Sequence, residues 1–177
     1  LESIKKIFSD FKPEIIFHLA AQPLVRKSYL LPLDTYEINV MGTINILESI
    51  RATNSVRASL MITTDKCYDN KEWIWGYREH DAMGGHDPYS SSKGCAELAI
   101  QSYQNSFFKD DSMSAISSVR AGNVIGGGDL SEDRLIPDIV RAIKGKSKVS
   151  IRNPAATRPW QHVFEPLNGY LMVAEDL

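Results

Sequence analysis

The sequence predicts an α/β protein, a Rossmann-like doubly wound parallel sheet with helices on both faces. Short apolar runs suited to strands alternate with longer segments whose apolar residues recur at helical spacing. Such alternation implies βαβ crossovers, which place successive strands parallel. Polar and small residues also gather just after three of the apolar runs, where open α/β sheets bind their ligands.

The elements follow in order. The chain opens on an amphipathic stretch carrying Ile4, Ile7, Phe8 and Phe11. Residues 14–19, after Pro13, form a short apolar run expected to be a strand buried on both faces. Residues 34–53 carry Ile38, Met41, Ile44 and Leu47 at helical spacing. Within them Gly42 predicts close packing of a neighbour, since a mid-helix glycine costs about 1 kcal/mol relative to alanine. Residues 56–63 give a second strand, 89–108 a second long helix and 114–120 a weaker third strand. Helices are expected at 135–143, begun near Pro137, and at 166–177. Between them residues 66–88, rich in Trp, Gly and charge, read as a long loop, a kind that is usually functional.

Composition narrows the function. The 177 residues carry 20 Lys+Arg against 22 Asp+Glu, a net charge of −2, and 43% are hydrophobic. Disorder is excluded by that balance, and no apolar run approaches the ~18–20 residues of a membrane span. No Lys/Arg block favours nucleic acid. Cys67 and Cys95 are too few for a disulfide framework, which points to a reducing cytoplasm. The first residue is Leu1, no signal-peptide architecture follows it, and the last residues still read as helix. The expectation is a segment of a longer chain.

The three strand-end clusters are His18-Leu19-Ala20-Ala21-Gln22, Thr63-Thr64-Asp65-Lys66 and Arg120-Ala121-Gly122-Asn123-Val124. Tyr89 and Lys93, four apart, share one face of the second long helix with Ala96, Ile100, Tyr103 and Phe107, which puts the pair on its buried edge. Such a pair is either a core tyrosine beside a snorkelling lysine or a phenol tuned by a cation to act as a base. Asn39 is either a satisfied core amide or a polar group near a site. Gly126-Gly127-Gly128-Asp129 does not fit G-x-G-x-x-G and reads as a mobile surface turn. Arg158 suits an anion. His18 and His162 lack partners at ligand spacing, so no metal site is expected.

Taken together, Tyr89-Ser90-Ser91-Ser92-Lys93, His18-Leu19-Ala20-Ala21, Asn39-Val40-Met41-Gly42-Thr43 and Arg120-Ala121-Gly122-Asn123-Val124 resemble the extended short-chain dehydrogenase/reductase family, in the family's order. Thr64-Asp65-Lys66 resembles its nucleotide-sugar 4,6-dehydratases. Residues 70–79, 87–97 and 158–163 are most similar to members acting on CDP-glucose.

The resemblance implies an NAD-dependent lyase that converts a nucleotide sugar, CDP-glucose, to its 4-keto-6-deoxy form. It implies Tyr89 as the base at the 4-hydroxyl, Lys93 on the ribose of NAD, and Thr64 hydrogen-bonded to the same hydroxyl. Lys66 would take the carbon 5 proton and Asp65 protonate the departing 6-hydroxyl. Leu19, Ala20, Ala21, Asn39 and Thr63 would line the cofactor side with Tyr89 and Lys93, and Asn123 and Arg158 would hold the sugar nucleotide.

Residues 1–125 are expected to be part of the NAD-binding domain and 126–177 part of an interleaved substrate-binding region. The family's glycine-rich pyrophosphate loop would lie ahead of Leu1, so the 177 residues alone are expected to be inactive. Lys66 separates the relatives: dehydratases of dTDP-glucose usually carry Glu there and 4-epimerases lack the Asp-Lys pair, whereas some UDP-sugar dehydratases share it. A homodimer is expected through the helices at 34–53 and 89–108, which could equally serve a non-catalytic scaffold.

Overall fold

The computed structural model describes residues 1–109 and 114–177. Its centre is a parallel sheet of β1 (Ile15–His18), β2 (Ala58–Ile62) and β3 (Ala115–Val119), in that spatial order. Ile15 pairs with Ala58 and Ala58 with Ala115, so all three carboxyl ends emerge at one edge. Alternation along β2 sends Ser59 and Met61 to one face and Leu60 to the other.

On the first face lie α1 (Glu2–Phe11), α4 (Gly42–Arg51) and α5 (Pro88–Phe107). Their core joins Phe8, Leu47, Ile50, Met61, Ile100 and Ile116. Burying each such side chain stabilises the fold by about 1.5–3 kcal/mol. On the other face Leu60 is fully buried and α7 (Phe164–Asp176) packs against β2. Helices therefore cover both faces, as the alternation predicts.

The start of α5 is written in its sequence. Asp87 accepts the Ser90 N–H at 2.9 Å as N-cap, and Pro88 fills the first helical position, where no N–H is needed. At Gly94 on this helix a Cβ would come within 2.8 Å of the Gly84 carbonyl, so the long loop lies directly on α5.

Several expectations change. β1 is not buried on both faces: Ile15 is 53% exposed and Phe17 36%, both on the face opposite Ile16, which packs against the core. The helix expected at 34–53 is α3 (Pro32–Tyr36), a π-helical turn (Glu37–Met41) and α4 end to end. Gly42 packs against no close neighbour, since a Cβ there would meet only the Glu37 carbonyl at 4.0 Å. The third strand stops at Val119, and residues beyond it form β4 (Asn123–Ile125), parallel to β5 (Trp160–His162) in a second, two-stranded sheet. A short helix, α2 (Val25–Leu30), follows the first strand-end cluster, and α6 spans Leu135–Lys144.

Candidate active site

The clusters after β2 and β3 meet the Tyr89 face of α5 at one edge of the sheet. There they open on a cleft of about 1960 Å³, roomier than the ~300–1,000 Å³ of common ligand pockets. Thr63, Thr64, Lys66, Tyr89, Asn123 and Arg158 all line it. β2 ends at Ile62 and hands Thr64 to a single 3-10 turn, Asp65–Cys67. Thr64 caps that turn by accepting the Lys66 N–H at 3.3 Å, and its hydroxyl donates to Asp65 Oδ1 at 3.0 Å. The Asp65 N–H donates to the Ala121 carbonyl at 3.1 Å, which ties the turn to the segment after β3.

Lys66 Nζ lies 3.4 Å from Asp65 Oδ1 and 3.5 Å from Asn123 Oδ1. Both partners of the Asp65–Lys66 pair remain about one-third exposed, and Lys66 lines the cleft. A carboxyl and an amine at this spacing can exchange a proton, which suits an acid and a base acting on adjacent atoms.

Tyr89 is 8% exposed and Lys93 6%. Burial raises the Tyr89 phenol above its ordinary value; the Thr64 side chain pulls it back and the Asp65 carboxylate adds to the rise. Burial likewise lowers the Lys93 ammonium, with the Glu97 carboxylate pulling it back up. Lys93 makes no hydrogen bond to the Tyr89 phenol among the described residues. Its Nζ turns instead to the Ile62 carbonyl at 3.2 Å, leaving two further N–H groups for other acceptors.

Asn39 does not line an open surface. It is 1% exposed, in the π-helical turn, and its amide is fully engaged: it accepts the Gln22 N–H at 2.8 Å and donates to Gln22 O at 3.1 Å and Ser92 Oγ at 2.9 Å. It holds the segment after β1 against α5. Leu19 and Ala20, in that segment, are exposed and Ala21 is half-buried. Beside them burial, aided by Lys93, lowers His18 to about 4.

Gly126-Gly127-Gly128 lines the cleft rather than standing as a free surface turn. A Cβ at Gly126 would meet Val163 Cγ1 at 2.9 Å, and Gly128 takes φ +81°. Arg158 is exposed, donates to the Thr157 carbonyl at 2.6 Å, and among the described residues pairs with no carboxylate. No group of three or more His, Cys, Asp or Glu is placed to hold a metal among the described residues.

Both Glu97 and Arg120 fall within the motifs that carry the family resemblance, but the sequence assigns neither a role. Glu97 follows Lys93 by four residues on the buried face of α5, and that spacing was the available signal.

Residues 1–176 match the family described as GDP-mannose 4,6 dehydratase. The chain belongs to that family. It is 56% identical over 99% of its length to CDP-glucose 4,6-dehydratase of Salmonella typhimurium, covering 50% of that protein. It is 30% identical over 59% of its length to CDP-paratose 2-epimerase of Salmonella typhi, covering 35% of it. The chain thus spans half or less of these curated relatives.

In fold it matches DesIV, a dTDP-glucose 4,6-dehydratase from Streptomyces venezuelae solved with NAD and TYD, at a TM-score of 0.87 and 21% identity, over 98% of this chain and 51% of that one. It matches UDP-glucose 4-epimerase from Thermotoga maritima, solved with UDP-glucose, at 0.86 and 21%, over 98% and 56%. These likenesses bear out the Rossmann-like fold.

Proposed function

We propose that the GDP-mannose 4,6 dehydratase family member carrying these residues dehydrates CDP-glucose to a 4-keto-6-deoxy sugar nucleotide, using NAD. The observation that carries this reading is the convergence of Thr64, Lys66 and Tyr89 at one cleft, with Asp65 3.4 Å from Lys66, on a chain 56% identical to a CDP-glucose 4,6-dehydratase.

The donor set fits the cofactor. Lys93, with two N–H groups beyond its bond to Ile62, would hold a ribose diol, and Leu19, Ala20, Ala21 and Thr63 would flank it. Asn39 would act behind them through Gln22. When bound, NAD supplies a hydride acceptor for carbon 4 and a donor for carbon 6.

The chain's own groups do the proton work. Tyr89, linked to Thr64, takes the proton of the 4-hydroxyl, and the ketone that results acidifies the proton on carbon 5. Lys66 removes that proton while Asp65 protonates the 6-hydroxyl as it leaves. The two side chains stand 3.4 Å apart, close enough to serve adjacent carbons of one sugar. Asn123, bonded to Lys66, and Arg158, whose fork suits two phosphates, would hold the sugar nucleotide.

Residues 1–125 would form part of the cofactor domain and 126–177 part of the substrate region. A homodimer would bury Leu33, Ile38, Met41 and Leu98, exposed on α3, the π-helical turn and α5. No helix among the described residues is long and apolar enough to cross a membrane, and a need for NAD and a sugar nucleotide suits the cytoplasm.

The test is to incubate the product of the complete coding sequence with NAD and, in parallel, CDP-glucose, dTDP-glucose, UDP-glucose and GDP-mannose. A 4-keto-6-deoxy product formed preferentially from CDP-glucose supports the reading. Turnover of another nucleotide in preference, or epimerisation without loss of water, overturns it.

A further inference from the structure

Glu97 lies one helical turn beyond Lys93 and is 4% exposed, yet it carries a carboxylate. Three donors converge on it: the Thr63 hydroxyl, Ser118 Oγ at 2.9 Å and Arg120 Nη2 at 2.7 Å. Through Nη1, Arg120 also donates to Tyr68 Oη at 2.9 Å and the Glu79 carbonyl at 2.8 Å, and its guanidinium stands 5.1 Å over the Tyr68 ring.

The identities of these partners matter. Thr63 immediately precedes Thr64, and Tyr68 immediately follows the Asp65–Cys67 turn. Ala121, next to Arg120, accepts the Asp65 N–H. The chain entering the turn, the chain leaving it and the strand end beside it are thus all fastened to Glu97, directly or through Arg120. Glu97 and Tyr89 sit two turns apart on the same continuous helix, so whatever is fixed to one is fixed relative to the other. Stability alone is a poor reason for such a pair, since well-packed apolar residues often replace a buried ion pair without loss. Geometry is a better one, because only the planar fork of an arginine reaches three acceptors in fixed directions.

We propose that Glu97 and Arg120 are positioning residues that hold the Thr64-Asp65-Lys66 turn in register with Tyr89. They touch no reacting atom. The proposal rests on the dehydratase reading for its effect on turnover, but its structural content does not depend on it.

The experiment uses the product of the complete coding sequence and its Glu97→Gln and Arg120→Lys variants. The control is Glu48→Gln, which breaks another carboxylate–arginine–tyrosine cluster, formed with Arg51 and with Tyr103 further along α5. Amide hydrogen exchange of residues 65–68 is measured beside CDP-glucose kinetics and melting temperature. In both clamp variants the turn should exchange at least about tenfold faster. Their kcat should fall about 10²-fold with KM changed by no more than about threefold, as expected when reacting groups shift by about 1 Å. Glu48→Gln should lose melting temperature while keeping kcat and turn protection.

Unchanged protection of the turn in folded clamp variants overturns the proposal. So does an equal loss of kcat in Glu48→Gln at matched melting temperature. If Glu97→Gln does not fold, Arg120→Lys, which keeps a cation opposite Glu97, decides on the same readouts. If the unsubstituted protein makes no product from CDP-glucose, the dehydratase reading fails, and exchange at the turn still decides the clamp.

Discussion

Replacing Asn39 by Ala should cost about 2–4 kcal/mol of stability, a large share of the ~5–15 kcal/mol typical of a domain. Asn39 is 1% exposed and Gln22 6%, so the Gln22 N–H that Asn39 accepts at 2.8 Å has no route to bulk water once the amide is gone. An orphaned buried donor costs about 1–3 kcal/mol, and the space left by the amide adds to it. Ser92 Oγ is spared because it keeps its own bond to the Tyr89 carbonyl at 2.7 Å.

Asn39→Asp makes a sharper comparison. It keeps the acceptor for Gln22 but sets a carboxylate against the Gln22 carbonyl and Ser92 Oγ, to which the amide had donated. The introduced carboxyl should therefore titrate higher in the folded protein than in the unfolded one. Its penalty should shrink as pH falls toward the unfolded value, because the protonated form donates again. Urea unfolding of the product of the complete coding sequence measures both, Asn39→Ala serving as reference at each pH. A loss below about 1 kcal/mol for Asn39→Ala, or a penalty for Asn39→Asp that does not depend on pH, would refute the reasoning.

Further outcomes follow from other contacts. His18 titrates near 4 rather than the ordinary 6.5, so below pH 6.5 the unfolded chain binds a proton that the fold refuses. Stability should fall from pH 6.5 to about 4, by about 3 kcal/mol at ~1.4 kcal/mol per pH unit, and His18→Gln should flatten that fall in pH-dependent denaturation. Gly94→Ala should cost about 1–3 kcal/mol by overpacking, because its Cβ would crowd the Gly84 carbonyl at 2.8 Å; an unchanged melting temperature would mean that the loop yields. Lys66→Ala should lose about 10²–10⁴-fold in elimination, the usual contribution of a general base, and leave oxidation at carbon 4 possible. Reduced-nicotinamide absorbance should then build up, whereas Tyr89→Phe should give neither that signal nor product; the reverse pattern would exchange their roles.

Much of this architecture is legible in the sequence because it is local. The apolar run of β2, the Asp87-Pro88 start of α5 and the four-residue spacing of Tyr89 and Lys93 each speak within a few residues. That the strand-end clusters fall on one edge follows from parallel crossovers. What could not be read depends on distant pairing. β4 and β5 are three residues each, more than thirty residues apart in the chain, and neither carries a period. The exposed face of β1 depends on what lies beside it in space. The direction of Lys93 was equally hidden: spacing puts it near Tyr89, but the Ile62 carbonyl at the end of β2 claims its ammonium. For Asn39 the residue type allows a satisfied amide or a site group, and only its distant contacts with Gln22 and Ser92 show the amide to be satisfied.

In the proposed reaction one site oxidises carbon 4, eliminates water across carbons 5 and 6 and returns the same hydride to carbon 6. CDP-glucose carrying deuterium at carbon 4 tests it directly, with the product of the complete coding sequence, NAD, and nuclear magnetic resonance of the product. The deuterium should appear in the new methyl group at carbon 6. Deuterium retained at carbon 4, or lost to solvent from a product that lacks it at carbon 6, would contradict the assignment.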